Sequence, residues 1–399
     1  MRVLHVIPSV SPALGGPTQV VLQLVKALRE CGLDAEIATT NDNGASLLDV
    51  PLNQRIEYER VPVWFLPRFS PPMKEFIFSA ALTRWLWQHA KDYEMIETHY
   101  LFSYASTCAG AIARCQGIPY TVRTMGQLSP WALKQSLLKK QIYSRLIERR
   151  NLNRASAIHC TSASEAEDVR NFGIQTPIIN LPLGVLPPKA DPEAKQKLRQ
   201  RYKIPETIPI VLFFSRLHYK KRPDLLIEAM AKLAPEHQNF HLILAGSGEP
   251  DYLQYLIKQV YSVGLKFQTT FPGFVTGEDK ELLLQGSDIF VLPSFSENFG
   301  VAVAEAMAAG LSVIITPEVQ IAPDIAAAQA GLVVEGEVEP LKNAIATLLT
   351  SPNLRQQLGE NGKHLVSRRY SWNAIAHNLA SAYSALIQKK PLPVMSYGL

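Results

Sequence analysis

Cysteine is scarce in this chain: four in 399 residues (Cys31, Cys108, Cys115 and Cys160), all in the first half and none in a CxxC spacing. A chain of this length builds its own core, so a disulfide framework is not expected. Cys108 and Cys115 fall on a predicted helix and read as small core residues. No His and Cys cluster has the ligand spacing of a zinc site. No apolar run reaches the roughly 18 residues of a membrane span. The opening MRVLHVIPSV has too short an apolar run, and no cleavage site, for a signal peptide, so a cytoplasmic protein is expected. Asp-x-Asp is absent, which disfavours a site built on a metal-chelating aspartate pair; no metal and no cofactor are expected. The glycine turns match neither GxGxxG nor GxxxxGK[ST], so a dinucleotide or ATP reading loses support. A nucleophile elbow and a Ser-His-Asp arrangement are missing too.

What is present is ordinary globular composition, 47% apolar and 19% charged, with a net charge of +5. The positive excess lies in the first 190 residues, with 20 Lys/Arg against 15 Asp/Glu; the remainder is balanced at 20 and 20. Within it, Ser129–Arg154 carries seven basic residues and one acid, with apolar residues at helical spacing. Such a segment is either the solvated face of a packed helix or a reversible contact with an anionic membrane surface. Nucleic acid is not an expected partner, because no binding motif accompanies the charge.

Short apolar runs alternate with amphipathic stretches along the whole chain, the pattern of parallel βαβ units. In the first half, strands are predicted at Val3–Pro8, Ala35–Thr39, Met95–His99, Tyr120–Thr124 and Ala157–Thr161. The proline-rich Pro62–Pro72 reads as a loop or irregular insertion. Leu186–Pro192 (LPPKADP) is the best linker, and alternation restarts at Ile208–Phe214. The pattern predicts an α/β protein with two doubly wound domains, residues 1–186 and 193–370. A last helix, within 371–388, follows the second core and is expected to return to the first domain.

The organising stretch is Gly286–Thr316, GSDIFVLPSFSENFGVAVAEAMAAGLSVIIT: strand, loop, helix, strand. It sets Glu297 in the loop and Glu305 about two turns into the helix. Backbone N–H groups at the helix N-terminus favour an anion, and the carboxylates accept hydrogen bonds from hydroxyls, a pairing suited to a ligand with both phosphate and sugar. Ser215–Asp224 (SRLHYKKRPD) leaves another strand, and Arg216 and Lys221 are placed to grip a diphosphate. Lys220 and Arg222 crowd the same segment. Gly15 and Gly16 precede a helix, and Gly246 sits in the turn AGSGE; either turn lines a ligand or simply reverses the chain. His99, at a strand end, faces a crevice or is a satisfied core residue. His159, inside a strand, reads as structural. Arg123 and Met125 end another strand and are candidates for an acceptor pocket.

On these residues the chain resembles the retaining glycosyltransferases of the GT-B architecture, specifically family four. SENFGVAVAEAMAAG is similar to that family's Glu-x7-Glu motif, and SRLHYKKRPDLLIEA to its Arg-Leu-x3-Lys segment. The Gly15-Gly16 turn, the strand ending at His99 and PWAL at Pro130–Leu133 also match. The resemblance implies two Rossmann-like domains facing across a cleft, with a nucleotide sugar as substrate. It implies that Arg216 and Lys221 hold the diphosphate and that Glu305 bonds the ribose. Glu297, with the backbone of Asn298, Phe299 and Gly300, would hold the sugar hydroxyls. Gly16 would lie near the phosphate and His99 near the transferred sugar. The chain departs from the family pattern at three positions: Ser215 and Arg222 stand where glycine is common, and Ser312 where proline is. Arg222 leaves open which cation of KKR does the work. The implied activity is metal-independent retaining hexosyl transfer to a glycan or lipid-linked acceptor, with UDP-glucose as the expected donor ahead of GDP-mannose and UDP-N-acetylglucosamine. A nucleotide-sugar epimerase on the same fold is the alternative.

Overall fold

The computed structural model describes residues 1–12, 16–70, 76–134, 147–237 and 239–393. The chain divides into two compact units: Met1–Gly184 with Trp372–Leu399, and Val185–Ser371.

The first unit is built on β1 (Arg2–Ser9), β2 (Asp34–Thr40), a small ribbon of β3 (Asp42–Asn43) and β4 (Ser46–Leu47), β5 (Arg55–Tyr58), β6 (Val61–Leu66), β7 (Met95–His99), β8 (Tyr120–Arg123), β9 (Ala157–Cys160) and β10 (Ile178–Asn180). Its main sheet has the order β10-β9-β8-β7-β1-β2-β6-β5. All neighbours are parallel except the edge pair β5–β6. The Pro62–Pro72 stretch therefore begins with strand β6, not a loop. Pairing of β6 with β2 starts at Val63, so the missing N–H of Pro62 falls outside that ladder. Continuous apolar runs such as Val3-Leu4 and Val6-Ile7 are buried because helices cover the sheet. Ser79 and Ser103 cap two of those helices, Ala80–His89 and Tyr104–Gln116, and Gly117 closes the second at φ +72°. Cys108 packs against this core, but Cys115, in the last turn of the same helix, is exposed.

The helix Trp372–Ile387 also belongs to this unit, and its Ile375, Leu379, Ala382 and Tyr383 are fully buried. Of the basic segment Ser129–Arg154, residues 135–146 lie outside the described residues; its ends form the helices Pro130–Lys134 and Arg149–Asn153. No helix among the described residues is long and apolar enough to cross a membrane.

The second unit carries β11 (Ile210–Phe214), β12 (His241–Ala245), β13 (Thr269–Gly273), β14 (Ile289–Leu292), β15 (Ser312–Ile315) and β16 (Gly331–Val333), all parallel, in the order β13-β12-β11-β14-β15-β16. Strands are added to one side from β11 to β13 and to the other from β14 to β16. The direction of winding thus reverses between β11 and β14, and the loops leaving their carboxyl ends splay apart to leave a crevice. In the first unit the same reversal lies between β1 and β7.

Candidate active site

In the second unit the residues after β11 and after β14 meet at that reversal. The segment Ser215–Arg222 leaves β11, and Tyr219–Lys221 winds into one tight turn capped by the His218 ring, whose Nδ1 accepts from the Lys220 N–H at 3.2 Å. The loop Pro293–Gly300 leaves β14 and is stitched to this turn: Phe295 N–H and Ser294 Oγ both donate to the Lys220 carbonyl, at 2.9 and 3.0 Å. Glu297 is held from the far side, its N–H donating to Glu318 O and its carbonyl accepting from Gln320 N–H, each at 3.1 Å. Two loops from separate strands are thereby locked as one surface, and Lys221 Nζ donates to Glu297 Oε1 across it. Both side chains are largely covered.

Arg216 is exposed beside them and pairs with no carboxylate among the described residues. Its charge, with those of Lys221 and Lys220, adds to burial in holding the His218 pKa below its ordinary value. Partial burial and the Lys221 charge lower the Lys220 pKa as well. Cationic groups are thus concentrated at one end of the sheet, where an anion would relieve their repulsion.

Glycine is required here at two points. Gly246, after β12, has φ +142°, and a Cβ would stand 1.8 Å from the Ser215 carbonyl oxygen, so only glycine lets the two strand-end loops close on each other. Gly300 has φ +87° and opens the helix Val301–Ala309. Phe299 is buried edge-on against Tyr370, 5.2 Å between ring centroids, which anchors the loop end. Asn298, just before Phe299 in the loop, is half-buried. Glu305 lies on the helix, where Lys280 Nζ donates to its Oε1 at 2.9 Å.

The model for the family described as "Glycosyl transferases group 1" matches residues 194–365, and that for "Glycosyl transferase 4-like domain" matches residues 15–184. The chain belongs to the group 1 glycosyltransferases. A D-inositol 3-phosphate glycosyltransferase of Xylanimonas cellulosilytica is 25% identical, over 98% of this chain and 97% of that protein. A GDP-mannose-dependent alpha-(1-6)-phosphatidylinositol monomannoside mannosyltransferase of Mycobacterium tuberculosis is 29% identical, over 52% of this chain and 56% of that protein. Among solved structures, Anabaena HepE in complex with UDP superposes with a TM-score of 0.78 at 23% identity, covering 96% of this chain and all of that one. Sucrose-phosphate synthase from Thermosynechococcus elongatus gives 0.73 at 21%, with 98% of this chain covered. The transferase has the GT-B fold.

In this transferase the backbone sends the cations of the KKR run in different directions. Arg222 sits at φ +56°, the left-handed region, which accounts for a glycine being at home there. Its guanidinium turns away from the glutamates, donating to Gly336 O at 2.5 Å and stacking on Phe295 with Cζ 4.1 Å from the ring centroid. Lys221 is the cation that meets Glu297.

The first unit holds the remaining expected residues differently. Gly15 lies outside the described residues, and Gly16 begins the helix Gly16–Glu30. Met125 is half-buried in a turn at φ +54°. His99 and Arg123 are 0% exposed in this structure: His99 takes the core position, one of its two readings, and Arg123, a candidate for an acceptor pocket, is buried as well. Parallel register explains where they go. His5 stands beside Glu97 and Glu97 beside Thr121, while the next row on the same face sets His99 beside Arg123 and Arg123 beside His159.

Side chains close this lattice. His5 Nδ1 and His99 Nε2 share a hydrogen bond of 3.0 Å, His159 Nδ1 donates to Glu97 Oε1 at 3.1 Å, and Thr121 and Tyr383 hydroxyls donate to Glu97 Oε2. Burial, with Arg123 nearby, holds the histidine pKa values down, that of His5 to about 4. Glu97 is held below its ordinary value despite burial, with the His159 contact favouring its charged form. His5 and Glu97 are not among the candidates read from the sequence, although each is a polar residue inside an apolar run, RVLHVIPS and MIETH, and nothing in the sequence named Tyr383 as their cover.

Proposed function

We propose that this transferase moves a hexose from a nucleotide sugar, UDP-glucose first, to a glycan or lipid-linked acceptor with retention of anomeric configuration and without a metal. The observation that carries the reading is the joined surface of Ser215–Arg222 and Pro293–Gly300, where Lys221 meets Glu297 at the sheet's winding reversal and Arg216 is exposed on the same segment. In this reading the bond between the anomeric carbon and the diphosphate oxygen breaks, and the electron pair leaves with the nucleoside diphosphate. Arg216 and Lys221 stabilise that charge, work done elsewhere by a chelated cation. Glu297 accepts from sugar hydroxyls and Glu305 from the ribose. The acceptor oxygen attacks from the face the diphosphate leaves and passes its proton to a departing phosphate oxygen.

HepE has been crystallised with UDP and glucose, which supports a uridine donor. The mycobacterial mannosyltransferase supports GDP-mannose as the second reading. A thermal-shift panel of UDP, GDP and ADP, followed by transfer from the matching sugar nucleotides in EDTA, separates them. Stabilisation by UDP with glucose transfer in EDTA is the expected result; loss of turnover in EDTA restored by a divalent ion rejects the metal-free mechanism. Isomerised sugar from donor alone would favour an epimerase. Arg216→Ala and Lys221→Ala should each slow transfer by about 10²-fold. Salt-sensitive sedimentation with anionic liposomes tests whether Ser129–Arg154 brings the enzyme to a membrane-held acceptor.

A further inference from the structure

Glu305 is not left to itself. Lys280 reaches it from the helix Gly277–Gly286, which follows β13, while Glu305 lies on the helix that follows β14; the two helices pack side by side. The Nζ–Oε1 contact of 2.9 Å joins side chains that are 31% and 21% exposed, so the pair is neither a free surface bridge nor a buried one. A glutamate with three rotors, tied at one oxygen, presents the other in a defined direction. A fully exposed pair would hold no such geometry, because solvent competes for both partners.

We propose that Lys280 is a positioning residue for nucleotide recognition: it holds Glu305 Oε1 so that Oε2 faces the ribose hydroxyls of the donor. This rests on the reading of Glu305 as the ribose acceptor given above. Lys280 itself does not touch the nucleotide. Its effect is on the ribose alone, and it leaves the grip of Arg216 and Lys221 on the diphosphate intact. Nothing in the run GEDKELLLQG distinguishes this lysine from a solvated charge on an ordinary helix.

The test compares the affinity of UDP with that of its 2′,3′-dideoxy analogue by calorimetry, with the guanosine pair run in parallel. The ratio of the two affinities is measured for the native chain, Lys280→Met, Lys280→Arg and Glu305→Gln. Lys280→Met should reduce the preference for the intact ribose by about three- to tenfold, the loss of one charge-assisted orientation. Affinity for the dideoxy compound should stay as in the native chain, and Lys280→Arg should restore most of the preference. A role confined to joining two helices would lower the Tm of Lys280→Met and leave the ratio alone. If Glu305→Gln lowers the ratio and Lys280→Met does not, the positioning role is rejected while the ribose reading stands. If Glu305→Gln leaves the ratio unchanged, the ribose reading is rejected and the role of Lys280 falls with it. Should Lys280→Met fold poorly, Lys280→Gln replaces it with the same expected loss.

Discussion

Three consecutive cations, Lys220, Lys221 and Arg222, look equivalent on paper, and the backbone separates them. Arg222 adopts φ +56° and spends its guanidinium on Gly336 O and the Phe295 face. Replacing it with glycine relieves a left-handed conformation that costs a bulky residue about 1 kcal/mol, and removes a hydrogen bond and a cation–π contact of similar size. The two effects oppose, so Arg222→Gly should leave Tm within a few degrees of native. Nucleoside diphosphate affinity should stay within about threefold, since no phosphate contact is lost. Lys221→Met removes the charge that faces Glu297 and should weaken the same affinity by at least about tenfold. Titration calorimetry on the two variants decides between them; equal losses would mean that Arg222 also reaches the ligand.

At the scale of elements, the site depends on loops from neighbouring strands approaching more closely than side chains permit. Gly246→Ala places a Cβ 1.8 Å from the Ser215 carbonyl oxygen, at φ +142°. The loops must part, costing at least about 3 kcal/mol, and donor affinity should fall with stability. Gly264→Ala is the control: its φ is +79° but its added Cβ meets nothing within 4 Å, so only about 1 kcal/mol of conformational strain is expected, with affinity kept. Thermal melts with and without UDP check both.

The strand, loop and helix elements around this site were legible because parallel strands are apolar throughout and helices carry their period openly. Pro223–Leu233 is one case, and the loop before Val301 another. The strand β6 was not, since its proline is tolerated only through a pairing pattern that a single sequence does not display. Nor were the true surroundings of His99 and Arg123. A strand end points to a crevice or to a core according to which helix lies over it, and here that helix begins at residue 372, far along the chain.

The whole molecule returns its last helix to its first unit, and the Tyr383 hydroxyl meets Glu97 beneath three histidines. This buried lattice makes the unit sensitive to acid. His5, His99 and His159 are held neutral in the fold by burial, with pKa values below the 6.5 of an unfolded chain. Below pH 6.5 the unfolded chain takes up protons that the folded one refuses, so stability is complete above that value and declines as pH falls toward the folded pKa, about 4 for His5. Each histidine that stays neutral should remove about 1.4 kcal/mol per pH unit in that window. Glu97, held below its ordinary value, adds a loss of the same sign at still lower pH.

All five tryptophans (Trp64, Trp85, Trp87, Trp131 and Trp372) belong to this unit, so their emission reports its unfolding without interference from the other. Urea midpoints followed by tryptophan fluorescence should drop steeply between pH 7 and pH 5. His5→Asn should be less stable than the native chain at pH 7, yet show a shallower slope. Tyr383→Phe removes one donor from a buried carboxylate and should lower stability by about 1–3 kcal/mol at every pH without changing that slope. A native slope that stays flat from pH 7 to pH 5 would mean that these rings are protonated within the fold, and that water reaches a place where the packing leaves them none.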